Sequence, residues 1–257
     1  MTNLIEPNWN VYRGYLEEIP AIIRLNLALD RVAPIANFSH CVKISVALKN
    51  PDEQGFSTNE EREKIYQIED DLVSFLDNEK NIFVAVITFK GSVTWYFYSQ
   101  NASELEEKAR EKCSKNQDYP CQIEINEDKN WELFLKGIYP NLYEMQAIYN
   151  RSVIHNCEQY GDLVDRERPI EHWLYFDTET DMQKAIEKAK AIDYAVEYNE
   201  KIEPEEGEET QENLGYRLVL SKANTPLDID TDTWDLIDIA LDTNGTYDGW
   251  ETPIVKE

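Results

Sequence analysis

Two kinds of hydrophobic spacing alternate along this chain, and the alternation excludes an all-helical or an all-strand fold. Residues 42–48 alternate apolar and polar side chains with the period of two that suits a half-buried strand. After a turn signal at Asn50-Pro51 and Gly55, Ser57 stands three residues before Glu60, the spacing of a capping box, and predicts a helix start. Ile65, Ile68, Leu72 and Phe75 then recur at steps of three and four, which places them on one inward face until about Asp77. Residues 82–89 and 93–99 flank Lys90-Gly91-Ser92 and read as a hairpin. Asn101 is positioned to cap a further helix with Leu105, Ala109 and Cys113 inward, and residues 121–125 follow as a strand. Residues 131–135 and 142–154 read as helical and close a first domain, 1–156.

A second domain, 165–257, repeats part of this grammar. Trp173-Leu174-Tyr175-Phe176 is strand-like, residues 177–180 offer caps, and Met182, Ala185 and Ala189 form a narrow helical seam. Residues 195–198 and 216–221 are strands. A last helix starts at residues 228–231 with Trp234, Ile237 and Leu241 inward, and Asn244-Gly245 ends it. Trp95-Tyr96-Phe97-Tyr98, also followed by a capped helix and a strand, pairs with Trp173-Leu174-Tyr175-Phe176 as the same step of a β-α-β unit. The fold class is therefore α+β: two α/β-sandwich domains, the C-terminal one ferredoxin-like, joined near Gly161-Asp162 and residues 165–169.

Charge bounds the partners. Of 257 residues, 51 are acidic and 25 basic, a formal net charge of -26, which repels phosphate backbones and anionic lipid and favours basic protein surfaces. Direct nucleic-acid and membrane binding are disfavoured, and residues 1–10 carry no secretory pattern, so the expected location is cytoplasmic. Residues 203–212 hold six glutamates and no basic residue, and self-repulsion makes them a loop between two strands. Within it Glu205, Glu206, Glu208 and Glu209 are candidate partner-binding residues. Four cysteines without CxxC spacing read as free thiols.

Catalytic and metal signatures are weak. No GxSxG elbow, HExxH or phosphate-cradling glycine loop occurs. Asp228-x-Asp230-x-Asp232 begins like a calcium loop, but Thr233 stands where glycine is needed and Ile239 where a bidentate glutamate would close it, so helix capping explains these aspartates better. His40-Cys41 and His155-x-Cys157 offer zinc-type donors, yet adjacent residues on a strand point to opposite faces. No cofactor or metal is expected. The alternative to a binding protein is a hydrolase or metal-dependent enzyme using Asp228, Asp230 and Asp248 between the domains.

The distinctive constellation is Tyr247-Asp248-Gly249-Trp250-Glu251-Thr252, where the glycine suits a tight turn feeding an edge strand. Trp250 reads first as a core lid, with Tyr247 and Trp250 as interface anchors in the functional reading. Together with Glu171-His172-Trp173-Leu174-Tyr175-Phe176 and Tyr194-Ala195-Val196, it makes residues 170–255 resemble the B-type regulators of ribonuclease activity. That resemblance implies a small acidic bacterial domain that inhibits ribonuclease E by binding it. His172, Tyr247, Asp248, Gly249 and Trp250 are then the candidate partner-binding residues beside the glutamate loop. The first 150 residues, through Trp9-x-x-Tyr12, Ala33-Pro34, Tyr96-x-Tyr98 and Trp131 with Tyr139-Pro140, resemble a bacterial domain family of unknown function often found upstream of such a module. The implied protein is a non-catalytic regulator whose partner is a basic-surfaced protein, a ribonuclease by resemblance.

Overall fold

The computed structural model describes residues 5–203 and 215–256 and divides the chain into two compact units, residues 1–144 and 145–257. The division falls ahead of Asn156, so most of the long helix Leu142–Gln159 (α3) is counted with the second unit. The glutamates at 205, 206, 208 and 209 lie outside the described residues.

The first unit is a six-stranded antiparallel sheet. Its strands are β1 (Trp9–Leu16), β2 (Ile19–Asn26), β3 (His40–Ala47), β4 (Asn81–Phe89), β5 (Ser92–Ser99) and β6 (Gln122–Glu127), in the order β1-β2-β4-β5-β3-β6. Helices α1 (Asn59–Leu76) and α2 (Ala102–Cys113) cover one face. The alternation read in residues 42–48 puts Val42, Ile44 and Val46 under them, with Trp95 and Phe97 beside and Ile65, Leu72 and Leu105 above. Each such side chain, taken from water, stabilises by about 1.5–3 kcal/mol. The other face is closed by the segment after β6, where Trp131 stacks on Tyr98 at 3.9 Å and donates its indole N–H to the Phe38 carbonyl at 2.8 Å.

The predicted hairpin forms with Lys90 and Gly91, both at positive φ, as its two-residue turn. Asn101 caps α2, accepting from the Glu104 amide. The capping box is not used: Thr58 precedes α1, without a side-chain cap bond. Phe75 is 41% exposed, and Leu76, fully buried, takes its place on the inward face. The cysteine expectation is also corrected, because Cys113 and Cys121 are bonded while Cys41 and Cys157 are free. The end of α2 returns within eight residues to the start of β6, which brings the two Cα atoms to 5.9 Å, inside disulfide range.

The second unit runs β7 (Arg168–Phe176), α4 (Glu179–Lys190), β8 (Ala195–Lys201), β9 (Tyr216–Asn224), α5 (Ile229–Asp242) and β10 (Gly245–Glu251). Its sheet order is β10-β7-β9-β8, all neighbours antiparallel. This is the β-α-β-β-α-β arrangement, in which each helix crosses over one intervening strand. The first unit contains the same path: β3-α1-β4-β5-α2-β6 gives β6-β3-β5-β4, with β1 and β2 added at the β4 edge. The repeat is thus real in order but shifted in phase. Trp95 lies on the third strand of its path, whereas Trp173 lies on the first strand of its own.

Met182, Ala185 and Ala189 are buried against Leu174, Leu218 and Leu220, as the seam predicts. On α5 the inward residues are Ile229, Thr233, Leu236, Ile237 and Ala240, whereas Trp234 and Leu241 are 41% and 57% exposed. The segment expected to be a loose linker is tied down. Buried Arg168 pairs with buried Asp162 and donates to Thr252 Oγ1 at 2.9 Å, and Asp162 Oδ1 accepts the Val255 amide at 2.9 Å.

Candidate functional site

Alternation along β7 sends Ile170, His172, Leu174 and Phe176 toward the helices and Glu171, Trp173 and Tyr175 to the opposite face. A regular β10 would send Tyr247 and Trp250, three residues apart, to opposite faces. It does not, because a β-bulge intervenes: Tyr247 pairs with Leu174, Gly249 with Trp173 and Trp250 with His172. The extra residue, Asp248, is exposed and shifts the parity of the strand, so both aromatic side chains point inward. Gly249 holds φ +147°, a backbone region that side chains other than glycine's rarely adopt. The glycine therefore serves a bulge within an edge strand, not the turn feeding one that the sequence suggested.

Trp250 is 8% exposed and packs with Ile170, Ile229, Val153 and Ile154. Its indole donates to Asn150 Oδ1 at 2.8 Å. The Asn150 amide in turn donates to Asp230 Oδ1 at 2.8 Å and Thr233 Oγ1 at 3.0 Å, joining α3, α5 and β10. His172 is fully buried, its Nδ1 3.0 Å from the Tyr247 hydroxyl and its Nε2 without a hydrogen-bond partner. Burial pushes its pKa down to about 4, against the opposing influence of Asp232, so the ring is neutral. The Tyr194 ring meets His172 edge-on at 5.7 Å, and the Lys222 ammonium lies 4.8 Å from the centre of the Tyr194 ring. Asp232, 3% exposed, accepts from Lys222 at 3.0 Å and from Asn224 at 2.8 Å. Burial also raises the Tyr194 and Tyr247 pKa values.

Of the candidate partner-binding residues that lie among the described residues, His172 and Trp250 are buried, Tyr247 and Gly249 are half-buried, and Asp248 is the exposed one. The aspartates of α5 are likewise employed: Asp228 accepts from the Thr225 hydroxyl, Asp230 holds Asn150 and Asp232 holds Lys222, while Asp228, at the helix start, makes no side-chain cap bond. Capping by that side chain is therefore not its role. Among the described residues no three His, Cys, Asp or Glu side chains are grouped to hold a metal ion, and no helix is long and apolar enough to cross a membrane.

The accessible chemistry lies on the opposite face of the sheet. Glu171 and Glu251 stand directly across from one another on β7 and β10. Trp173 and Tyr175 are half-exposed, and Tyr198, 40% exposed, has the Arg217 guanidinium 5.6 Å over its ring. Like charges opposed across a strand pair destabilise an isolated sheet. Neither glutamate has an ion-pair partner among the described residues. Alternation with Ile170, His172 and Leu174 was the signal that could have placed these outward residues. Lys222, on the inward face with Leu218 and Leu220, could likewise have announced a buried acidic partner.

Residues 7–139 match the profile described as a family of unknown function (DUF695), and residues 147–252 match that of regulator of ribonuclease activity B. The second profile describes a regulatory family, not a catalytic one. No curated protein matches the chain. A solved structure, the crystal structure of an unknown protein from Galdieria sulphuraria, aligns over 84% of this chain and 99% of that one at 7% identity, with a TM-score of 0.24.

Proposed function

From the premise that the chain belongs to the DUF695 family of unknown function, we propose that its second unit is a non-catalytic module that binds an RNA-degrading enzyme and modulates it. The match of residues 147–252 to regulator of ribonuclease activity B carries this reading. The outward face of β7, β9 and β10 supports it, since aromatic residues among uncompensated carboxylates suit a partner presenting arginine and lysine. Asp248 extends that face at its edge, and the YDGW element positions it by setting the bulge. His172 and Trp250 act as supports that hold the strands in register.

The test is turnover of ribonuclease E with and without the full chain. We expect the wild type to slow turnover, and Glu171→Lys/Glu251→Lys to weaken that effect by at least about tenfold, the scale of one well-placed charge contact. Both positions are accessible, so the variant should melt within about 0.5 kcal/mol of the wild type. Equal inhibition by the two proteins would remove this face from the mechanism.

A further inference from the structure

The first unit has a cleft that the regulatory reading does not use. It opens at one end of the six-stranded sheet, has a volume of about 190 Å³, and is walled by Trp9, Leu29, Phe38, Ile82 and Phe83. Trp9 lies against Phe83, the ring centroids 4.9 Å apart and the planes tilted by 35°, and remains 38% exposed, so one wall is an accessible aromatic ring. An apolar cavity of roughly 150 Å³ suffices to hold benzene. This one therefore has room for a single ring or a short alkyl body.

Its polar groups are of one kind of charge. Asp77 and Glu79 line the cleft and no lysine or arginine does. Neither carboxylate has an ion pair among the described residues. Asp77 is exposed as a residue, but its carboxylate lies at the cleft wall, where Oδ1 accepts the Phe83 amide at 3.2 Å and partial desolvation raises its pKa. Asn26, 6% exposed, spends its Oδ1 on the amides of Asn8 and Ala28, and its Nδ2 donates to no described residue. The cleft thus offers apolar walls, a free donor and uncompensated negative charge.

We propose that this cleft binds a small organic amine: a protonated ammonium held by Asp77 and Glu79, on a ring-sized apolar body that packs against Trp9 and Phe83 and carries an oxygen able to accept from Asn26. The proposal is independent of the ribonuclease reading, since every residue in it belongs to the first unit. Attraction between an ammonium and a partly desolvated carboxylate separates such a ligand from neutral or anionic molecules of the same shape.

Three probes share one phenolic body and differ in charge: tyramine, tyrosol and 3-(4-hydroxyphenyl)propionate. Titration of the full chain by calorimetry, with the Trp9 indole N–H followed by NMR, reads both affinity and place. Tyramine should bind and shift the Trp9 resonance, with the neutral and anionic probes at least about tenfold weaker. Asp77→Asn/Glu79→Gln keeps the side-chain acceptor for the Phe83 amide and should erase the preference while leaving the melting curve in place. Failure of tyramine to bind, equal binding of all three probes, or a preference that survives the double substitution would each overturn the proposal.

Discussion

Gly249 shows how one backbone angle decides the placement of two aromatic side chains. A β-carbon there would meet nothing within 4 Å, so a substitution is opposed by conformation and not by crowding. Gly249→Ala should cost about 1–3 kcal/mol in urea unfolding, the range for a residue held in a sparsely populated region, while Gly137→Ala, equally uncrowded but at an ordinary φ, should be neutral or slightly stabilising. Trp250→Ala should cost roughly 3–5 kcal/mol through the cavity it leaves, and Trp250→Phe less, since Asn150 Oδ1 loses the indole donor but keeps the Gln146 amide at 2.9 Å. His172 gives a pH signature. Its folded pKa of about 4 lies below the roughly 6.5 of an unfolded chain, so the unfolded state takes up the extra proton between those values. Stability is therefore full above about pH 6.5 and falls toward pH 4, by about 3 kcal/mol from this residue. Comparing the unfolding free energies of wild type and His172→Gln from pH 7 to 4 isolates this contribution, and parallel pH curves would refute it.

At the scale of elements, the expectation that a fragment beginning near Asp165 folds alone is replaced by a sharper one. Such a fragment lacks Asp162, the partner of buried Arg168, and lacks α3, whose Asn150, Val153 and Ile154 cover Trp250. Leaving a buried charge unpaired costs about 3–5 kcal/mol, so residues 145–257 should melt cooperatively and residues 165–257 should not. A cooperative transition in the shorter fragment would contradict this account. What was legible in the sequence follows from local chemistry: the Lys90-Gly91 turn, the Asn101 cap and the Met182/Ala185/Ala189 seam each signal themselves within a few residues. What was not legible depends on tertiary context. On α5 the stripe with Trp234 and Leu241 lies beside the one with Leu236 and Ala240, and only packing decides which is buried. The bulge at Asp248 reverses face assignments that a period of two would make, and it hid the inward pairing of Tyr247 with His172. Aromatic content matched Trp95-Tyr96-Phe97-Tyr98 to the wrong strand of the second unit because composition reports burial, not position in the sheet.

Across the whole molecule, a single strand order recurs in two units of different chemistry: one carries an aromatic cleft edged by carboxylates, the other an acidic and aromatic sheet face. The net charge of -26 acts on both. Attraction of a basic partner to such a field speeds encounter, and added salt shortens its reach to roughly 8 Å at physiological ionic strength. The glutamates of residues 203–212 should add to encounter without adding to stability, so replacing Glu205, Glu206, Glu208 and Glu209 by glutamine should slow association and leave the melting temperature unchanged. The most direct measurement is the association rate of the full chain with ribonuclease E, followed by stopped flow from low to high salt. Binding should occur at a rate that falls steeply as salt rises and falls further in Glu171→Lys/Glu251→Lys. Absence of binding at low salt, or a rate indifferent to salt, would contradict that expectation.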